Sequence, residues 1–314
     1  SPPPPPRAAI TPPSPRAGGG GGGAGDDGCV ARLARCLSHE GMRPVVLHTT
    51  GRGHACALAR QAVRAGSCTH IVAAGGDGTV AEVADGMAGS RIVLGILPVG
   101  TANVLASELG IPSDPACTAR AIAAGEHTVI WPGRRGSRRG AWLVVQWVGG
   151  GFDAHVVHAV SVRLKKTFGR MAYVLQTLRG LWAYPFRSMN VVVDGKARPA
   201  VSVIISKGRF YGGRYVLTPH SMHERAGFSV VLFGTAGVWA SLRYSMALLR
   251  GMLDRQPDVT ILNARTVEIT TPIGLPVQGD GDACGFTPLH VDLPERPLRV
   301  VRFVAGVSGK SSPS

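Results

Sequence analysis

The chain has no CxxC pair and no Cys/His cluster at ligand spacing; its six cysteines lie at 29, 36, 56, 68, 117 and 284. That excludes the common zinc modules and a dense disulfide framework, and leaves reduced, mostly buried thiols as the expectation. No uninterrupted apolar run reaches the 18 to 20 residues of a membrane span, and no charged-then-apolar leader is present. A cytoplasmic protein is therefore expected. There is no GxxxxGK[ST], so an ordinary P-loop is excluded, and no GxGxxG of the dinucleotide type. Basic segments interleaved with aromatics are also missing, and nucleic acid is not an expected partner. Acidic residues are few, 19 against 34 Lys and Arg, for a net charge of +15. The excess suits phosphate-bearing ligands or an anionic lipid surface, and is equally compatible with an Arg-rich solvated exterior.

What is present suggests two domains in 314 residues. Residues 1–27 hold a run of five prolines and six consecutive glycines, a composition expected to form a disordered tail. Residues 307–314 are read in the same way. From 28 to 135 amphipathic stretches near 29–40, 54–65, 80–88, 102–109 and 115–124 alternate with apolar runs at 45–47, 71–73, 92–97 and 129–131. This alternation predicts a parallel sheet covered on both faces, with ligands at the carboxyl ends of its strands. From 136 to 294 short apolar runs separated by turn signals predict a mainly antiparallel second domain. They lie at 142–148, 190–193, 200–205, 228–233, 259–262 and 266–270, and a last run at 298–304 makes 295–306 a candidate to pack back on the first domain.

Two helical insertions interrupt the second domain. In the first, Leu164, Phe168, Met171, Leu175, Leu178 and Trp182 recur at helical spacing beside Lys165, Lys166, Arg170 and Arg179. Such a stripe either packs on the sheet, the commoner outcome, or lies on an anionic bilayer.

The sharpest chemical signal is Gly75-Gly76-Asp77-Gly78-Thr79, between the run Ile71–Ala74 and a helix carrying Glu82. Glycines in a strand-to-helix turn let backbone approach a ligand, and the helix start offers N–H groups to phosphate. Asp77 there can hold a metal-bound phosphate or a ribose. A second strand-to-helix turn follows at Leu97-Pro98-Val99-Gly100-Thr101-Ala102-Asn103, where Thr101 can bind phosphate or simply cap the helix. Asp280-Gly281-Asp282 is either a plain hairpin turn or a second carboxylate source, and Asp194-Gly195 reads as a hairpin.

The pair GGDGT and PxGTxN resembles the diacylglycerol kinase catalytic-domain family, which includes bacterial lipid kinases and sphingosine kinases and is distantly related to NAD kinases. Gly149-Gly150-Gly151-Phe152-Asp153-Ala154, Lys166 through Gly169 to Tyr173, Tyr211-Gly212-Gly213 and Asp280-Gly281-Asp282 follow in the family's order. The resemblance implies a Rossmann-like α/β nucleotide domain of the NAD-kinase/phosphofructokinase kind and an antiparallel β-sandwich domain. It implies an ATP- and Mg²⁺-dependent kinase acting on diacylglycerol or a related lipid, peripherally associated with membrane; homodimers are also expected. By the resemblance Thr49, Gly75, Gly76, Asp77, Gly78, Thr79, Glu82, Gly100, Thr101 and Asn103 contact nucleotide. Asp282, standing where the family has Glu, takes the proton of the lipid hydroxyl, with Asp280 and Asp77 in support. Asp77 and Asp153 are the metal candidates.

Three departures stand out. The family opens with a strand ending in Asn-Pro-x-Ser-Gly, whereas Ala9-Ile10-Thr11-Pro12-Pro13-Ser14 is a degenerate copy, so a missing first strand and an open pocket are expected. Glu224-Arg225-Ala226-Gly227 stands where the family often has an acidic Asp-Gly turn tied to a structural Mg²⁺. Lys207 and Gln146 occupy positions where Asn is expected. The alternatives to an active diacylglycerol kinase are a sphingoid-base kinase and a homologue that binds nucleotide or lipid without catalysis.

Overall fold

The apolar run at 70–75 is buried on every residue, as befits a strand with helices on both faces. In the computed structural model, which describes residues 7–11, 23–137, 140–159 and 184–303, this run is the middle of a six-stranded sheet. Its strands are β1 (Arg7–Thr11), β2 (Arg43–Val46), β3 (His70–Gly75), β4 (Val93–Pro98), β5 (His127–Ile130) and β20 (Leu298–Val301), ordered β2-β1-β3-β4-β20-β5. All neighbours are parallel except β20 and β5.

Alternate residues of β3 sort the helices. Val72 and Ala74 face a layer built on α1 (Gly23–His39) and α5 (Pro115–Ala124) through Leu33, Leu37, Ala119 and Ile122. Ile71 and Ala73 face α2 (His54–Ala65) and α3 (Asp77–Gly86) through Ala55, Ala59, Val80 and Val83. A short α4 (Val104–Glu108) leads away from the end of β4. The strand order reverses between β1 and β3, the kind of place where open α/β sheets bind ligands.

The amino end corrects the sequence reading. Arg7–Thr11 is a strand paired on both sides, and α1 starts at Gly23, so residues 1–27 are not wholly a disordered tail and the first strand is not missing. Five residues suffice because β2 and β3 satisfy both backbone edges, whatever prolines flank them.

The second domain is two antiparallel sheets face to face. One holds β6 (Gly133–Ser137), β7 (Gly140–Val144), β9 (Met189–Val193), β10 (Lys196–Ala200), β16 (Val267–Thr271) and β19 (Leu289–Asp292), ordered β10-β9-β16-β19-β6-β7. The other holds β8 (Trp147–Gly150), β11 (Ser202–Ser206), β14 (Phe228–Phe233), β15 (Val259–Ala264), β17 (Pro276–Gly279) and β18 (Asp282–Phe286), ordered β15-β14-β11-β8-β17-β18. Helix α6 (Phe152–Ala159) follows β8, and β12 (Phe210–Tyr211) and β13 (Tyr215–Val216) form a short separate pair. Between them Val191, Val203, Val230, Val267, Ile269 and Val291 form a dry core. β6 (Gly133–Ser137) already belongs to this sandwich, and β20 returns from it to the first sheet. The run expected as one strand at 142–148 is two, β7 (Gly140–Val144) and β8 (Trp147–Gly150), since the N–H groups of 145–147 serve a carboxylate. The second helical insertion is α7 (Val238–Leu249). The helix expected over 164–182 lies outside the described residues. No described helix is long and apolar enough to cross a membrane.

Several polar contacts join the domains. Asp85 on α3 accepts from the Leu143 N–H at 2.9 Å, and Trp131 N–H donates to the His223 carbonyl at 2.8 Å. Glu108 at the end of α4 accepts from the N–H groups of Arg209 at 3.0 Å and Phe210 at 2.6 Å. These fix the crevice between the sheet's carboxyl edge and the sandwich.

Candidate functional site

The two glycine turns meet side by side. Strands β3 and β4 run in register with Gly75 opposite Pro98, so both turns leave the sheet at the same height. A Cβ on Gly75 would lie 2.5 Å from Oγ1 of Thr79, whose side chain folds back over the turn; one on Gly100 would overlap the Cα of Gly76. Neither site has room for a larger residue, which explains glycine at both. Gly76 is extended, at φ −88° and ψ −174°, and α3 begins at Asp77 with its first N–H groups at the crevice. Asn103, at φ 47°, closes the second turn: its Oδ1 accepts from Gly100 N–H at 3.1 Å and its Nδ2 donates to the Gly100 carbonyl at 2.8 Å. Thr101 is exposed in this turn, and Thr49 is buried just beyond β2.

The sandwich brings its own acid to the same place. An ideal Cβ on Gly78 would lie 3.7 Å from Oδ2 of Asp282, at the tip of the hairpin between β17 (Pro276–Gly279) and β18 (Asp282–Phe286). Asp77 and Asp282 therefore share one crevice. Burial raises the Asp77 carboxyl, against a backbone bond from Leu105 N–H at 3.4 Å. Arg52 Nη2 lies 3.5 Å from Asp282 Oδ2 and also reaches the Ala283 carbonyl. Arg52 is a residue sequence reasoning missed; its one signal is an Arg held between two glycines in a strand-to-helix turn.

Other expected site residues have different work. Glu82 accepts from the N–H of Gly53 at 2.7 Å and of Ala55 at 3.2 Å, capping the start of α2. Its carboxylate is committed there and positions the 49–53 loop rather than facing a nucleotide. Asp280, at φ 51°, accepts from Val145, Gln146 and Trp147 N–H at 2.9, 2.8 and 3.1 Å. Burial pushes its carboxyl up to about 7 against those bonds. Asp280 thus braces the turn that carries Asp282. Asp153 is buried, raised to about 6 by desolvation, and takes hydrogen bonds from Tyr211 Oη and, at 2.7 Å, from Gln278 Nε2. That pairing speaks against Asp153 as a metal ligand. Gln278 in turn accepts from Gly281 N–H at 3.0 Å, linking Asp153 to the 280–282 turn.

Beside Asp153 opens a cavity of about 110 Å³ lined by Phe152, Phe186, Ile204, Leu217, Phe233 and Leu253. Its wall is mostly apolar, with Asp153 and a few hydroxyl side chains, Ser202, Ser241 and Tyr244 among them, also in the lining.

Among the described residues no three His, Cys, Asp or Glu side chains group to hold an ion. At the 224–227 turn a cation is already built in: Lys207, buried, donates from Nζ to the carbonyls of Arg225, at 2.9 Å, and Gly227. A structural Mg²⁺ does not fit there, because an ammonium fills the carbonyl cradle. Burial lowers Lys207 to about 8, with Glu224 opposing. Nearby His223 is buried and lowered to about 3, chiefly by desolvation; neutral, it makes no ion pair with Glu108 at 3.6 Å.

Comparison with known proteins agrees with this geometry. The diacylglycerol kinase catalytic domain model matches residues 17–134, and the YegS C-terminal NAD kinase beta sandwich-like domain model matches 146–302. A diacylglycerol kinase of Mycobacterium tuberculosis is 28% identical over 286 residues, 88% of each chain. A protein of Pseudomonas putida named "Probable lipid kinase YegS-like" is 32% identical over 236 residues, 73% of this chain and 75% of that one. The crystal structure of a diacylglycerol kinase from Bacillus anthracis superposes with a TM-score of 0.70 at 21% identity, covering 95% of this chain and 96% of the other, a likeness of fold.

Proposed function

Because this chain belongs to the diacylglycerol kinase catalytic-domain family and is a lipid kinase, we propose that it transfers the γ-phosphoryl group of ATP to the free hydroxyl of diacylglycerol, giving phosphatidic acid. The observation that carries the reading is the approach of Asp282 to Gly78, which sets a carboxylate of one domain opposite the phosphate-binding helix start of the other.

Backbone N–H groups of 76–78 at the start of α3 receive the phosphates, with Thr49, Thr79 and Thr101 beside them. Asp77 is the protein carboxylate that would hold a Mg²⁺ ion bound with the nucleotide, and such an ion would neutralise phosphate charge. Asp282 accepts the proton of the attacking hydroxyl, and the exposed guanidinium of Arg52, 3.5 Å away, orients that carboxylate. Asp is one methylene shorter than Glu, and the pinned Asp280 turn carries it forward.

The lipid enters along the apolar cavity. Its acyl chains lie against the phenylalanines, and its polar backbone meets Asp153, tied through Gln278 to the catalytic turn. Incubation with γ-labelled ATP and either diacylglycerol or a sphingoid base tests the reading. Labelled phosphatidic acid is expected. Label only in the sphingoid product would replace the acceptor, and nucleotide binding without turnover on either lipid would make the chain a non-catalytic homologue.

A further inference from the structure

Helix α7 is apolar on two sides. Ser241, Tyr244, Ser245 and Leu248 border the cavity, and Ala240 and Ala247 are buried. The outward side carries Trp239, Leu242, Met246 and Leu249 at spacings of three and four, followed by Met252. Trp239 is 82% exposed and Leu249 55%. Single exposed apolar residues need no explanation, but a continuous stripe headed by tryptophan marks a surface that something covers.

We propose that this face of α7 docks flat on an anionic lipid bilayer, an inference that rests on the lipid-kinase reading above. Two observations choose the bilayer over a protein. Basic groups outnumber acidic ones around the stripe: Arg243 lies within it, paired with Asp258, and Arg250 and Arg255 lie at its carboxyl end against Asp254, in a chain of net charge +15. The same helix forms the cavity wall, so docking here sets the acyl-chain cavity one helix away from the membrane that supplies the lipid. Tryptophan at the helix start suits the headgroup level. Twelve residues span about 18 Å, too short to cross a bilayer and long enough to lie on one.

The test is co-sedimentation of the full chain with vesicles of phosphatidylglycerol and phosphatidylcholine, wild type against a Trp239→Ser/Leu249→Ser double variant. Binding roughly tenfold or more weaker in the variant is expected, with weaker wild-type binding to pure phosphatidylcholine. Turnover of dispersed dioctanoylglycerol should be unchanged, since neither residue lines the cavity. Quenching by brominated phospholipid gives a second measure that needs no unfolding-prone variant: wild type should lose fluorescence that a Trp239→Phe variant, still vesicle-bound, does not. Equal vesicle binding by both proteins, absence of Trp239 quenching, or a wild-type dimer that the double variant dissociates would overturn the proposal. A chain that binds vesicles through Trp239 yet phosphorylates no lipid would refute the kinase reading and leave the docking face standing.

Discussion

The guanidinium of Arg52 lies 3.5 Å from the carboxylate of Asp282, a contact that crosses from the nucleotide domain to the β-sandwich. Both groups are substantially exposed, so the pair contributes little to stability; its consequence is directional. Arg52 is held by a loop that Glu82 caps, and Asp282 by a turn that Asp280 braces. Each half of the site is fixed by an acid that accepts hydrogen bonds from the backbone.

The packing of the two glycine turns makes a first prediction. Gly100→Ala puts a methyl on the Cα of Gly76 and forces the turns apart. Calorimetry should show ATP binding weakened by at least about tenfold, an allowance of ~1.4 kcal/mol for the displaced backbone donors. Gly136→Ala, with open space at its Cβ, should bind as wild type. Equal binding by both variants would remove these turns from the nucleotide site.

His223 supplies a pH dependence. It is buried and neutral in the fold, with its affinity for a proton lowered to about 3 by desolvation and by Lys207. A depressed folded value means stability is present above the unfolded value and is lost as pH falls toward 3. Chemical denaturation should show wild type losing stability relative to His223→Leu from about pH 6.5 downward, at up to about 1.4 kcal/mol per pH unit. Glu108, raised by burial, acts in the opposite sense. Parallel curves would contradict a buried neutral imidazole.

Lys207 makes metal dispensable at the 224–227 turn. Without nucleotide, the melting temperature of wild type should be the same in chelator and in Mg²⁺. Lys207→Met strands the carbonyls of Arg225 and Gly227 and should cost about 2–4 kcal/mol in denaturant titration. A wild-type melting temperature that falls in chelator would show that a divalent ion shares the turn.

The nucleotide turns were legible in the sequence because a glycine corner needs its residues contiguous. The alternation of 71–74, 92–97 and the intervening helices likewise rests on local periodicity. What escaped depends on distant partners. Arg7–Thr11 gains its strand from Arg43–Val46 and His70–Gly75, which no composition window can register. Gly23–Gly28 is poor helix sequence and joins α1 only because Leu33 and Leu37 pack on α5 and the sheet. Glu82 and Asp280 look like site acids by position, yet each is bonded to backbone far along the chain. The same holds for Arg52, whose partner lies 230 residues on, at Asp282.

In the proposed reaction an acid of the sandwich acts on an acceptor whose phosphoryl donor is held by the other domain. Steady-state phosphorylation of diacylglycerol by Asp282→Ala, alongside calorimetric ATP affinity of the same variant, tests it most directly. The expected result is a kcat lower by about 10²–10⁴ with ATP affinity within a few-fold of wild type. A kcat close to wild type would contradict the claim.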